Sequence, residues 1–258
     1  MNIFQVDAFN NEIFKGNPAA VIPLKTWISE ELMQSIAEEN NLSETVFFVQ
    51  NKHQFEIRWF TPSCEVDLCG HATLAAAHII FSELNYATNS IEFSSKRGIL
   101  TVYKNQDWYT LNFPADKVEK IETSKLLNKA LNVPILNCFK FTHKLLVEVE
   151  NEEIIKNLHP NFNLLLQLNE DDIIVTSKGK TVDFVSRFFA PKIGINEDPV
   201  TGSAHSMLIP FWAQKLQKNE MVALQLSKRG GYLKCNFLGE RVEMSGQAIT
   251  YLKGKLTI

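Results

Sequence analysis

Two short polar turns hold the residues of this chain best suited to chemistry. One is Asp198-Pro199-Val200-Thr201-Gly202-Ser203-Ala204-His205 and the other is Cys69-Gly70-His71-Ala72-Thr73. Each contains a glycine and runs straight into an apolar, helix-like segment. Glycine lets a backbone approach a ligand closely, and the first N–H groups of a helix point outward with partial positive charge. Each turn is therefore a candidate anion site, although an ordinary capped helix start explains either one taken singly. A carboxylate stands elsewhere, at the mouth of the apolar strand Leu42-Ser43-Glu44-Thr45-Val46-Phe47-Phe48-Val49. Read plainly, Glu44 is an exposed strand-edge residue. Read as chemistry, it is a general base desolvated by Val46, Phe47 and Phe48.

The other polar residues rank below these. Ser203 and His205 are two apart with the serine at a helix start, a poor nucleophile–base pair, so anion binding by the Ser203 N–H and hydroxyl is the better reading. Asp198 either caps its helix or holds a substrate hydroxyl or amine. His78 sits inside an apolar helix and reads as structural, while His53, His143 and His159 carry no signal. No P-loop, dinucleotide-binding glycine fingerprint, Gly-x-Ser-x-Gly elbow or zinc-type His/Cys spacing is present. A carboxylate base facing two helix N-termini suits removal of a proton beside a substrate carboxylate, with the helix ends stabilising the charge that develops. Returning that proton elsewhere makes an isomerase.

The elements that must position these residues follow from the hydrophobic pattern. The chain has 258 residues, 45% hydrophobic and 21% charged, with a formal net charge of -3. That length suits one large domain or two of ~100–150 residues. The near-neutral charge, with no block of Lys and Arg, argues against nucleic acid as a partner. There is no signal-peptide pattern and no apolar run near the ~18 residues that span a bilayer. Four cysteines without Cys-x-x-Cys spacing indicate a reduced, cytoplasmic protein. Strands are expected at Ile3 to Ala8, after Gly16-Asn17-Pro18, from Glu44, over Phe55 to Phe60 and across Ile91 to Phe113. Helices are expected after Ser29, over Leu74 to Phe81, over Glu152 to Leu158 and over Met207 to Leu216. Asp116 to Ser124 is polar and reads as a linker.

The order of elements recurs. Arg58-Trp59-Phe60-Thr61-Pro62 resembles Arg187-Phe188-Phe189-Ala190-Pro191, and Glu65, Gly70 and Ala72 line up with Glu197, Gly202 and Ala204 after one short insertion. A weaker echo sets Leu42-Ser43-Glu44 against Leu168-Asn169-Glu170. The chain thus reads as two copies of one α+β unit. An N-terminal half covers 1–115, which the last strand at about 250–258 could join, and a C-terminal half covers 125–249, with 116–124 between them. Two facing halves would aim two helix N-termini at one cleft suited to a small carboxylate. His71 takes the repeat position of Ser203.

On these residues the chain resembles the phenazine-biosynthesis PhzF-like isomerase family. The resemblance runs from Asp7-Ala8-Phe9 and Gly16-Asn17-Pro18-Ala19 through Asn41-Leu42-Ser43-Glu44-Thr45 and Glu65-Val66-Asp67-Leu68-Cys69-Gly70-His71-Ala72-Thr73 to Glu197 through His205. It implies the diaminopimelate-epimerase-like fold, with two pseudo-symmetric α+β halves that each wrap strands around a central helix. It implies Glu44 as the acid/base, with His71, Asp198 and Ser203 lining the site. Backbone N–H groups near Gly70 and Gly202 would cradle a carboxylate. No metal or organic cofactor is implied, and a homodimer is. Racemases and epimerases of the wider fold place one cysteine before each helix. Here Cys69 matches the first, but the second is Thr201, too weak an acid for two-thiol chemistry. The Ser227-Lys228-Arg229-Gly230-Gly231 region places the chain nearer a branch of the family without an established substrate than to the phenazine enzyme.

The leading expectation is a cofactor-independent isomerase acting through Glu44 on a small, cyclic or conjugated carboxylate. A racemase or epimerase is the enzymatic alternative, and a non-catalytic small-anion-binding protein is the alternative from another class. A hydrolase built on Ser203 ranks last.

Overall fold

A computed structural model describes residues 1–258 except His53 and Asn85, so the reading of His53 lies outside the described residues. The chain divides into two compact units, Met1–Phe113 with Glu243–Ile258, and Pro114–Val242.

The first unit contains β1 (Asn2–Ala8), β2 (Asn17–Leu24), α1 (Glu30–Asn40), β3 (Glu44–Asn51), β4 (Gln54–Phe60), β5 (Glu65–Val66), α2 (Gly70–Ser82), β6 (Ser90–Ser95), β7 (Gly98–Asn105) and β8 (Trp108–Pro114). Ser29 caps α1 by accepting from the Leu32 N–H, and Asn41 ends it in the left-handed region at φ 48°. Strand β2 pairs antiparallel with β1 and parallel with β3; β4 pairs antiparallel with β3 and parallel with β6, which turns back antiparallel onto β7. Alternation along β3 decides where its side chains go. Phe47 joins Ile22, Met33, Ile36, Ala37 and Phe60 in the cluster under α1. Glu44, Val46 and Phe48 therefore face the other side, toward α2. Helix α2 is apolar all round and packs on β1, β2 and β3, as a buried central helix must.

The second unit contains β9 (Glu119–Ile121), α3 (Lys125–Leu131), β10 (Asn137–Phe141), β11 (Lys144–Glu148), α4 (Glu152–Lys156), α5 (Phe162–Leu165), β12 (Asp172–Lys178), β13 (Phe184–Ala190), β14 (Ile195–Asp198), α6 (Gly202–Leu216), β15 (Glu220–Gln225), β16 (Gly231–Phe237) and the start of β17 (Arg241–Gly246). Strand β18 (Ala248–Lys255) belongs to the first unit and pairs antiparallel with β1. Within the second unit β10–β11 is antiparallel, β11–β12 parallel, β12–β13 antiparallel, β13–β15 parallel and β15–β16 antiparallel. That is the order of the first unit, strand for strand. The repeat read from a few identities is a repeat of α+β topology.

The structure also corrects three details of the sequence reading. In the first unit Ala19 lies opposite Glu44 and Thr45 opposite Phe60; in the second Lys144 lies opposite Asp172 and Ile173 opposite Phe189. Asp172, not Glu170, occupies the rung of Glu44, because matching by residue type ignores register. Glu170 lies ahead of β12, held by Lys140 Nζ at 2.7 Å. The segment 116–124 is also more than a connector. Glu119–Ile121 pairs with β10, and the Asp116 N–H donates to Ser206 O at 2.9 Å. Its polar residues suit a short edge strand as well as they suit a linker. In addition, α6 begins at Gly202, ahead of the expected Met207, with Ser203 in its first turn as expected.

One device appears in both units. Arg58 forks onto Glu65 through Nε and Nη2, both at 2.7 Å, and Arg187 onto Glu197 at 2.6 and 2.9 Å. Each guanidinium also lies over the ring two residues on, Phe60 at 5.2 Å and Phe189 at 5.1 Å. The forks pin the short strands β5 and β14 that lead into the two glycine turns.

Candidate active site

Helix capping separates the two central helices from the rest. Ser29, Ser124, Asn151 and Asn161 cap α1, α3, α4 and α5, each accepting an N–H three residues on. Helices α2 and α6 begin after the extended residues Cys69 and Thr201, and neither side chain makes a capping bond. The partial positive charge at such helix starts suits an acceptor other than an N-cap side chain.

In the first unit Glu44, Cys69 and His71 come together, as does Asn17, which the sequence reading treated only as part of a turn. His71 is buried at the start of α2 beside Gly70. Its Nε2 lies 3.0 Å from Glu44 Oε2, with the Glu44 side chain 13% exposed. This is an ion-pair approach without hydrogen-bond alignment, and neither atom has a hydrogen-bond partner among the described residues. On the other side of the ring, Nδ1 meets Asn17 Nδ2 at 3.1 Å and Cys69 Sγ at 3.5 Å. Burial opposes charge on His71, yet the Glu44 carboxylate beside it favours the charged ring and raises its pKa above the usual 6.5. Burial, with the Glu44 charge adding to it, pushes the Cys69 thiol up to about 11. Cys69 is thus a neutral thiol at neutral pH.

The donor atoms of Glu44, Cys69 and His71 lie within 4.8 Å of one another, the only such group among the described residues. A cation there would have to displace the Cys69 thiol proton, which burial holds with a pKa of about 11. That proton weighs against ligation by Cys69 at neutral pH.

In the second unit the turn before α6 is held rigidly. The Thr201 hydroxyl donates a short hydrogen bond to Asp198 Oδ2. Gln225 Oε1 accepts from the Thr201 N–H at 2.9 Å, and its Nε2 donates to Asp198 O at 2.8 Å and Thr201 Oγ1 at 3.2 Å. Asp198 is buried. Gly202 and Ser203 form the first turn, and Ser203 Oγ accepts from Lys144 Nζ at 3.2 Å. His205 is turned away into the core, its Nδ1 donating to Thr201 O at 2.8 Å, and burial lowers its pKa to about 4. No serine–histidine pair exists here, as the spacing indicated.

His78 is structural: its ring nitrogens meet Tyr109 Oη at 3.0 Å and Thr250 Oγ1 at 2.9 Å. His143 and His159 are exposed. Gln225, Lys144 and Asp172 were missed by sequence reasoning because nothing in their local sequence distinguishes them; only strand register brings them to the turn. A separate pocket of about 590 Å³ lies between Phe139, Phe211 and Phe237 and holds none of the expected site residues.

Comparison with known proteins gives the family and the fold. Residues 6–254 match the family described as phenazine biosynthesis-like protein, PhzC-PhzF. An uncharacterized isomerase of Pseudomonas aeruginosa is 46% identical over 258 residues, covering 100% of this chain and 99% of that protein. The crystal structure of a PhzF-family phenazine biosynthesis protein from Enterococcus faecalis has a TM-score of 0.97 at 43% identity, covering 100% of this chain and 99% of that one. A probable proline racemase from Agrobacterium radiobacter, 7% identical, shares the fold with a TM-score of 0.66, covering 100% of this chain and 93% of its own. With two α+β units of one topology and a family match over almost its whole length, the chain belongs to the PhzC-PhzF, phenazine biosynthesis-like family.

Proposed function

We propose that this protein is a cofactor-independent isomerase that moves a proton within a small, cyclic or conjugated, carboxylate-bearing metabolite, with Glu44 as its acid/base. The carrying observation is the Glu44–His71 contact at the uncapped start of α2, where two apposed titratable atoms lack hydrogen-bond partners. Glu44 would remove a proton from carbon, and the electrons released would delocalise toward the substrate carboxylate. The Gly70 and His71 N–H groups and the charged imidazole would stabilise that negative charge as it grows. Gly202 and Ser203 would supply carboxylate donors, and Asp198 would act by holding their turn through Thr201. Glu44 then returns its proton to a different carbon.

The test is deuterium uptake in D2O across a panel of small carboxylates. Wild type should label at least one of them, and Glu44→Gln should lower the rate by about 10²–10⁴-fold. Undiminished uptake in Glu44→Gln would remove Glu44 from the mechanism.

The racemase reading needs a second base before α6, and the Thr201 hydroxyl there is already committed to Asp198. Cys69→Ala should accordingly leave exchange nearly unchanged; its abolition would favour the racemase. A non-catalytic anion-binding protein would bind carboxylates and exchange none. The homodimer implied by the family resemblance and the cytoplasmic location expected from the cysteines belong to the same proposal, and sedimentation of the purified chain measures the first of them.

A further inference from the structure

Lys144 sits on the rung that matters. It lies opposite Asp172 on β11–β12, the place taken in the first unit by Ala19 opposite Glu44. Alternation turns both side chains toward α6. Leu145, Val147, Ile173 and Val175 pack on the opposite face with the small helices, while Thr176, in phase with Asp172, accepts from Trp212 Nε1 of α6. The Lys144 ammonium thus reaches the start of α6, 3.2 Å from Asp172 Oδ2 and 3.2 Å from Ser203 Oγ. At 23% side-chain exposure it is accessible.

An ammonium has three donors and no acceptor. At the Lys144–Ser203 contact the hydroxyl oxygen must therefore accept, and its own hydrogen points elsewhere. No other hydrogen bond to the Ser203 hydroxyl is made among the described residues. The placement is also electrostatically unusual, because a cation stands at the N-terminal turn of a helix, where the dipole favours anions. Asp172 offsets part of that positive charge. Asp116 adds a second negative influence, and burial raises both carboxyl pKa values against the pull of Lys144. In the first unit the corresponding partner of the rung carboxylate is His71, on the helix. In the second unit Ser203 takes that helix position, and the cation comes from the strand.

We propose that Lys144 is a positioning residue: by donating to Ser203 Oγ it commits that hydroxyl to donate to an anionic oxygen of the substrate carboxylate. The inference rests on the reading of the α6 start as a carboxylate site.

The test follows the Gly202 and Ser203 amide resonances of the full chain during titration with maleate, a small rigid dicarboxylate. Wild type should show saturable shifts at both amides. Lys144→Met should weaken binding by about tenfold, the scale of one charge-assisted hydrogen bond. Lys144→Arg should stay within about threefold of wild type, because donor and charge are kept. Ser203→Ala should lose about as much as Lys144→Met, and the double variant little more than either, a non-additivity that a merely structural lysine would not produce. Lys144→Gln, whose amide can also accept, is the second variant should Lys144→Met fold poorly, and it should likewise lose affinity. Unchanged affinity in a folded Lys144→Met or Lys144→Gln, losses that multiply in the double variant, or absence of wild-type shifts at Gly202 and Ser203 would overturn the proposal. Glu44→Gln separates the two readings: it should keep the maleate shifts while deuterium uptake is lost. Glu44-dependent uptake with no effect of Lys144 would sink this inference and leave the isomerase standing.

Discussion

Arg187→Met should be among the most damaging single substitutions outside the hydrophobic core. The Arg187 side chain is 12% exposed and makes four hydrogen bonds, two to Glu197 at 2.6 and 2.9 Å and two to Ile155 O and Leu158 O at 3.1 and 2.6 Å. Methionine keeps much of the stem packing over Phe189 but leaves a carboxylate and two carbonyls without their donor. Removing one member of a buried pair costs ~3–5 kcal/mol, and because Glu197 is 22% exposed the lower figure applies. Arg58→Met is the internal control. Arg58 is 24% exposed, its further partner Glu30 is 65% exposed, and Glu65 would keep Lys96 at 2.6 Å. That loss should be ~1–2 kcal/mol. Native-state hydrogen exchange of β13 and β4 amides reads each unit by itself, and ~3 kcal/mol is on the order of a hundredfold faster opening. An Arg58→Met loss equal to or above that of Arg187→Met would refute the reasoning, as would an Arg187→Met loss below ~1 kcal/mol.

Three further outcomes follow from named contacts. A Cβ on Gly231 would stand 2.2 Å from Val200 Cγ2 in the turn before α6, so Gly231→Ala should destabilise by ~1–3 kcal/mol. Val200→Ala in the same chain should return part of that loss, and a melt showing no rescue would discard the clash. The Arg58 hydrogen bonds hold the Glu65 carboxyl at about 2, against burial and with help from Lys96. Its folded pKa lies below the unfolded 4.5, so its stabilisation is complete above that value and disappears as pH falls toward 2. Glu65→Gln should flatten that part of the acid titration, and an unchanged profile would contradict the assignment. Finally, of four thiols only Cys64 is exposed, so a thiol reagent should label one cysteine in the folded protein and four after denaturation. Fast labelling of Cys69 would show a thiolate where burial places a thiol.

Much of the fold is legible in the chain because it rests on local rules. Ser29 and Asn41 mark the ends of α1 where capping chemistry places them. The Arg-x-Phe runs at Arg58 and Arg187 report the repeat because the same fork is built twice. What local rules leave open is register. Glu170 and Asp172 are both carboxylates just ahead of apolar residues, and only the pairing of β11 with β12 selects the second. Edge strand and linker are alike in composition, so Glu119–Ile121 was indistinguishable from a connector until β10 paired with it.

Family membership, the two-fold internal repeat, the glycine turns and Glu44 were all determined by the sequence, since they depend on residue type and order along the chain. Tertiary structure alone decided which groups meet. Parity along β3 and β12 turns Glu44 and Asp172 toward the central helices. Long-range pairing then brings Asn17 to His71 and Lys144 to Ser203, and the N-cap residues of α2 and α6 make no side-chain capping bond. The physical reason is that catalysis is set by distances of about 3 Å between groups many residues apart. Such distances are fixed by strand register and packing, which no local pattern encodes.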